Sequence, residues 1–535
     1  SSSSCNFSQT WQKVPKRTQA QKTALLSGGE VMQMVFDIDY APSNPNVVYL
    51  VNDTAQVWKS TDGGYSWNRK ARGFLANGGL SLVINPNNEN IVYVAGSGQL
   101  TSGNESGLNP VEGIFRTTDG GDNWTLVTTN DYSTHAPQAH FHKSAAGGNH
   151  IAFAGTTLYA APTKGGLLKS TNGTTWTRLP KSGGGYVLDT LALHDITAHP
   201  TDNTILFVSA SDGLYKVKDS GGSATVTKVG TGLPAGVVYQ AQIDFNNPNI
   251  MYIATKGNGV YRSIDGGLNF SARNNGLSTP ISGGGSSKYI VMSPVNANRL
   301  FVTFQNVSGA GKQLYYTNDG GANWTQTSSM DEKNADGWVA GSTFSQNPGA
   351  YELGTNSGSG VTPIAFHPTN ENIGLVAGWG SQIKRTINGG VDWRYSNTGY
   401  IGADQGHAGS VPIGWDQTNS KRAVWFHGDF GPMLTEDGED AFKSIKPKEY
   451  NGRVATAAGV IRGNIIVAAV GPDTNQRIHI SRDNGDTWTP VVGADGNFFF
   501  VAFHPQNPNI VYASGFASDW SWKRTYKFTN IQTDN

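Results

Sequence analysis

Four aspartates sit where one apolar run stops and the next has not begun. They are Asp53 in YLVNDTAQVWKS, Asp429 in AVWFHGDFGPMLTED, Asp473 and Asp519. A carboxylate presented by such a loop can take up or release a proton. Aspartate is also a common turn former, so each has a purely structural reading beside the chemical one. Most equivalent breaks carry Gly, Asn or Gln instead, as in GSG at Gly96–Gly98 and KGNG at Lys256–Gly259. A second group, Asp62, Asp119, Asp265, Asp319, Asp437 and Asp483, recurs in one fixed context. There the side chain is expected to staple a turn by accepting backbone N–H groups. His135 and the run His140–His142 lack the spacing of a known metal site and read as polar packing in a long loop. No metal or other cofactor is expected.

The fixed context is Ser/Thr-x-Asp-Gly-Gly-x-x-Trp, an Asp-box repeat. It reads STDGGYSW at Ser60–Trp67, TTDGGDNW at Thr117–Trp124, SIDGGLNF at Ser263–Phe270 and TNDGGANW at Thr317–Trp324. Looser copies lie at Ser170–Trp176, Thr386–Trp393, Thr435–Phe442 and Ser481–Trp488. Asp-Gly and Asn-Gly favour hairpin turns because the turn needs positive φ. The Trp in the next strand then packs back on the turn. A second repeat precedes most copies: a strand end, a Pro/Asn turn, then an apolar strand. Examples are Ala41–Leu50, Ile84–Val94, Phe245–Ile253, Phe366–Val376 and Phe503–Ala513. Together they specify four antiparallel strands, A to D, in a blade of about 40–50 residues.

Ten such units start near Val31, Gly79, His150, Val187, Val237, Ser286, Val361, Val411, Arg453 and Asn497. The tenth has no strand D of its own, and QTWQKV at Gln9–Val14 has the pattern to supply one. The expected fold is therefore all-β: a β-propeller of about ten four-stranded blades, residues 9–535, closed by the N-terminal strand behind a flexible Ser-rich tail, 1–8. The alternative is two propellers side by side, split near residue 400. Ten blades exceed the usual four to eight.

Composition narrows the function. Lys+Arg and Asp+Glu are both 39, and no basic tract stands out, so neither nucleic acid nor an anionic membrane is indicated. A neutral polymer such as a polysaccharide suits this balance. No apolar run reaches the roughly 18 residues that span a bilayer. One cysteine, Cys5, cannot form an internal disulfide, which argues against a disulfide-stapled animal ectodomain. Cys5 reads as an ordinary thiol in the tail. The expectation is a secreted or cell-surface bacterial protein whose Ser-rich start resembles a processed chain. Function should lie in the B–C and D–A connections, where the long inserts Gly96–Glu112, Thr129–Asn149, Ser328–Gly360 and Ser396–Ser410 fall.

The Asp-box blade pattern resembles the xyloglucan-cleaving glycoside hydrolases, which carry tandem seven-bladed propellers. The opening GGEVMQMVFDIDYAPSNPNVVYLVNDTAQVWKS resembles that family's first blade, where an Asp follows the second strand; Asp53 holds that place. GDFGPM at Gly428–Met433 resembles its later Gly-Asp-x-x-Gly stretch, which puts Asp429 at the second carboxylate. The resemblance implies Asp53 as general base and Asp429 as general acid of an inverting hydrolase. Trp338, Trp379, Trp415, Trp425, Trp520 and Trp522, with His427, are candidates to bind sugar rings, although each Trp also suits blade packing. Trp522 stands out because DWSW at Asp519–Trp522 falls in a loop. A sialidase reading fails for want of an arginine cluster at the loop face. The standing alternative is a non-catalytic propeller that binds glycans or proteins, since ten units also resemble the ten-bladed sortilin-type domain.

Overall fold

The computed structural model describes residues 35–533 apart from 53–56, 77, 98–111, 129–147, 164, 283–285, 308–310, 328, 331–362, 378–382, 397–412, 428–430, 437–442, 446, 448–454, 472–475 and 517–522. The architecture is all-β, and its sheets are those of a propeller. Most sheets hold four antiparallel strands in chain order, A to D from the inside outward. The innermost strands of units 1 to 9 are Val35–Ala41, Gly78–Asn85, Ile151–Ala154, Leu193–Ala198, Val238–Ile243, Ser286–Ser293, Ile364–His367, Ile413–Trp415 and Ala455–Arg462. Units 9 and 10 share one long strand, Thr489–Phe503. Its first part pairs with Gln476–Ser481; from Asn497 it pairs with Val511–Phe516 as the innermost strand of unit 10. An extra strand, Ser329–Met330, runs parallel to Asp392–Tyr395 at the outer edge of unit 7.

Local chemistry makes the described Asp-box turns between strands C and D. The Ser60 hydroxyl donates to Asp62 Oδ1 at 2.7 Å, which also accepts the Tyr65 and Ser66 N–H groups at 3.0 and 2.9 Å. Gly63 and Gly64 take φ of 75° and 94°, a region that a side chain disfavours. Asp119, Asp265, Asp319 and Asp483 accept equivalent bonds. Asp437 lies outside the described residues. The Trp of the motif does more than cover its own turn. Its indole N–H donates to the carbonyl that ends strand D of the preceding blade: Trp124 to Lys70 at 2.7 Å, Trp324 to Arg273 at 2.9 Å and Trp488 to Ile445 at 2.6 Å.

The same clasp shows where the ring closes. Trp67 of unit 1 donates to Ser396 of unit 7 at 2.8 Å. Innermost strands pack in the order 1 to 7, and unit 7 packs against unit 1. Along this seam Val35, Leu50 and Trp58 share one buried core with Leu375, Ala377 and Ile383. Arg385 stacks on Tyr65 at 4.2 Å and donates to its hydroxyl at 2.5 Å. The ring thus closes after seven units, which corrects the single ten-unit ring expected from the sequence. Unit 2 covers one face of unit 1 and unit 7 the other, leaving no place for unit 10. The strand expected to close a ten-unit ring, Gln9–Val14, lies outside the described residues, as does Cys5. Units 8 to 10 form a row of their own, 8 on 9 and 9 on 10.

A polar belt runs around the axis of the closed ring. Five innermost strands bulge at the same register, and Asp37, Ser81, Asp195, Gln240 and Tyr289 follow the bulge. A bulge inserts one residue and re-aims the side chains next to it. Asp37 accepts the Leu82 N–H of unit 2 at 2.8 Å, and Ser81 accepts the His150 N–H of unit 3 at 3.0 Å. Asp195 accepts Asn149 N–H on one side at 2.8 Å and Ala241 N–H on the other at 3.2 Å. Gln240 accepts Ile290 N–H at 2.8 Å, and the Tyr289 hydroxyl donates to the Phe36 carbonyl of unit 1.

Candidate functional site

The B–C connections leave the end of each blade opposite the stapled turns. In unit 1, strands Asn44–Asn52 and Val57–Ser60 pair as far as Val51 opposite Val57. Both residues, and Asn52 after them, are buried, so the connection 53–56 starts from a buried base. Asp53 belongs to that connection and lies outside the described residues. In unit 8, Ala423–His427 pairs with Gly431–Thr435, and His427 faces Gly431. Three residues connect them, and Asp429 is the middle one; it too lies outside the described residues. The base of this hairpin is rigid for a packing reason. Phe426 is fully buried against Gly414 and Gly459, where an added Cβ would come within 2.8 and 2.2 Å of its ring.

The aromatic candidates divide. Trp425 and His427 lie on the strand leading to Asp429, and Trp425 pairs with Ile413 and Met433. Trp379 belongs to the B–C connection of unit 7, between Asn370–Ala377 and Ile383–Thr386. Trp338, Trp379, Trp520 and Trp522 lie outside the described residues, with Asp473, Asp519, His135 and His140–His142. Trp415 is placed elsewhere. It pairs with Ala423 beside the A–B turn, at the far end of the hairpin from Asp429, and its side chain is 54% exposed.

A cluster that sequence reasoning passed over lies on the ring axis. Burial pushes the Asp37 carboxyl up to about 7, against backbone bonds from Leu82 and Ile38, and Asp195 adds a like charge. Burial likewise raises Asp195 to about 7. Asp39 is raised well above the ordinary range by burial and by Asp37. Perturbed carboxyls often mark functional sites, and structural networks also produce them. Here Asp37 and Asp195 accept N–H groups of neighbouring blades as well as Ile38 N–H and the Thr197 hydroxyl of their own strands, which makes stitching their role. Among the described residues no group of three or more His, Cys, Asp or Glu is arranged to hold a metal ion. The sequence signal was present: VFDIDYA places Asp at alternate positions of an apolar strand, and LHDITA repeats it once.

With this geometry in place, solved structures give a match of fold. The chain resembles the GH74 enzyme of Niastella koreensis with a TM-score of 0.61 and 19% identity, covering 94% of this chain and 72% of that one. It resembles the GH74 xyloglucanase from Xanthomonas campestris with a TM-score of 0.60 and 15% identity, covering 95% and 74%. The fold is that of the GH74 propellers. No protein-family model matches the chain, and no curated protein matches it. No helix among the described residues is long and apolar enough to cross a membrane.

Proposed function

We propose that the chain is an extracellular, inverting glycoside hydrolase acting on a xyloglucan-like β-glucan, with Asp53 as general base and Asp429 as general acid. The observation that carries this reading is the closure after seven units. In one ten-blade ring the B–C turns of units 1 and 8 would be fixed three steps apart on the rim. With the ring closed at unit 7, Asp53 belongs to a complete propeller and Asp429 to the first unit beyond it, as the tandem-propeller resemblance requires. Inversion needs one ionised carboxylate to activate water and one protonated carboxyl to protonate the leaving oxygen, about 6.5–9.5 Å apart. Trp425, His427, Trp379, Trp338, Trp520 and Trp522 are the proposed sugar-binding side chains. Trp415, at the opposite end of its hairpin, is left out.

The test is release of reducing ends from xyloglucan and a panel of other β-glucans, with binding followed in parallel. Asp53→Asn and Asp429→Asn should each lower the rate by about 100-fold or more while leaving the melting temperature and substrate binding in place. NMR of the first product should show an inverted anomer. Full activity in either variant sinks the assignment. Binding without cleavage by the unmodified chain would leave a glycan-binding propeller.

A further inference from the structure

The D–A connection of unit 3 presents an aromatic ring to solvent. Tyr186 is 39% exposed, and its hydroxyl makes no hydrogen bond among the described residues. An exposed side chain ordinarily keeps its rotamer freedom. This one is held. Arg178 stacks on one ring face, its guanidinium 3.8 Å from the centroid. That guanidinium is itself pinned, donating to the Gly165 carbonyl of the B–C connection at 2.9 Å and pairing with Asp189 at 3.6 Å. No other ring or cation covers Tyr186 among the described residues. The backbone on both sides is tied down as well. Tyr186 bridges Pro180, and Val187 donates to the Leu179 carbonyl and accepts the Leu167 N–H, both at 3.0 Å. Leu188 has a φ of 54°; the other two non-glycine residues with left-handed φ among the described residues are asparagines, which tolerate it. Strain of this kind gathers at ligand clamps and persists where packing overrides it. Here Val187 and Leu188 are locked in a core with Leu206, Val208 and Val217 of unit 4. Just before the ring, Gly183, Gly184 and Gly185 all take left-handed φ, yet an added Cβ on any of them would meet nothing within 4 Å, so the space there is open. Unit 4 offers a contrast. Tyr215 also lies under a cation, Lys228, but its hydroxyl is spent on Asp212 at 2.9 Å.

We propose that Tyr186 is the floor of an accessory site for a neutral pyranose ring, two units along the ring from the connection that carries Asp53. The sugar's C–H face stacks on the aromatic face that Arg178 leaves uncovered, and its hydroxyls bond to the Tyr186 hydroxyl and the Asp189 carboxylate. Arg178 is a positioning residue: it fixes the ring from behind, so little rotamer freedom is lost on binding. Arg178 and Asp189 offset each other's charge, which suits a neutral ligand. The choice of a saccharide rests on the polysaccharide reading above.

Hydrogen exchange across a titration with cellohexaose, stopped before any is cut, separates this site from the proposed catalytic one. Residues 179–190 should gain protection, and so should the hairpin 423–435 that carries Asp429. The cellohexaose concentration that half-protects 179–190 should rise at least about fivefold in Tyr186→Ala and stay within about twofold in Tyr186→Phe, which keeps the ring. Protection at 423–435 without 179–190, or a half-protecting concentration unchanged in Tyr186→Ala, would overturn the site and leave the hydrolase reading standing. Protection at 179–190 without 423–435 would support the site and count against the hydrolase reading. Protection at neither would overturn both. The pattern on the unmodified chain decides the matter even if Tyr186→Ala does not fold.

Discussion

Units 1 to 7 and units 8 to 10 are built on one blade template and joined in different ways. At the strand register where the ring places Asp37, Ser81, Asp195, Gln240 and Tyr289, units 9 and 10 place Ala458 and Phe500, again directly after a bulge. Ala458 is buried in apolar packing, and Phe500 is 73% exposed. The row has its polar stitching at the turns instead. Asp416 of unit 8 accepts the Gly463 N–H of unit 9 at 2.9 Å, and Arg422 bridges Asp416 to Asn484. The difference teaches that a blade's own hydrogen bonds do not decide how it meets its neighbour. A closed ring brings its inner strands to a common axis, where the polar side chains bond to the backbone of the neighbouring strands. A row leaves its inner strands without that common axis, and apolar residues serve there.

The clasp at the seam gives the largest expected effect. Trp67→Ala removes a buried indole and its bond to Ser396 together. It should cost the ring about 3–5 kcal/mol. Trp488→Ala makes the same change between units 8 and 9, and should leave the ring's unfolding transition where it was. Calorimetric melting of the two variants checks this. A single transition that moves equally in both would show that ring and row unfold as one body and would break the comparison.

The next effect depends on pH. Asp37 and Asp195 are raised to about 7 in the ring, while an unfolded chain returns them to the ordinary range near 4. Below that range both states hold the proton and no stability is lost. As pH rises toward 7, the unfolded state releases protons that the ring retains, so the ring is progressively destabilised. The loss between pH 5 and pH 8 is of the order of 3 kcal/mol for each carboxyl. In the row the sign is opposite. Burial pushes Asp416 up, but the bonds from Gly463 and Thr418 and the charge of Arg422 together hold it below its ordinary value. Its contribution is kept above about pH 4 and lost as pH falls through its lowered value. Melts at pH 5 and pH 8 should move the ring's transition down and leave the row's nearly fixed. In Asp195→Asn the ring's shift should shrink but not vanish, since one of the three raised carboxyls, Asp37, Asp39 and Asp195, is gone. An unchanged ring transition across that interval would remove the axial carboxyls from the account.

How much of this could be read from the sequence follows the range of the interactions involved. The stapled turns were legible because Ser60, Asp62 and Gly64 bond within four residues of one another. The innermost strands were legible from the Pro/Asn turns that follow them. Closure was not, because it depends on Trp67 meeting Ser396, 329 residues away, instead of a carbonyl in unit 10. Nothing in the local pattern of Trp67 distinguishes it from Trp124. The axial aspartates sat in plain view in VFDIDYA, but a period-two polar stripe reads as the solvent face of a strand until the ring turns that face inward. For Asp53 and Asp429, strand ends were enough to locate the connections. The proposed pairing of the two joins units 1 and 8, far apart in the chain, and repeat spacing says nothing about it.

The smallest effect tests what the two regions share. Asp62 in unit 1 and Asp483 in unit 9 make the same bonds: each accepts from the hydroxyl two residues before it and from the N–H four residues after it. In both, burial raises the carboxyl and the hydrogen bonds more than reverse this. Replacing either with Ala removes a staple from an exposed turn, much as losing a helix cap does, at about 1 kcal/mol. Asp62→Ala should lower only the ring's transition and Asp483→Ala only the row's, by similar free energies. If Asp62→Ala proved several times more costly, the turn would be supporting the nearby seam with unit 7, and the separation of blade chemistry from neighbour chemistry would have to be redrawn. Equal costs would leave the axis and the Arg422 network as the places where ring and row diverge.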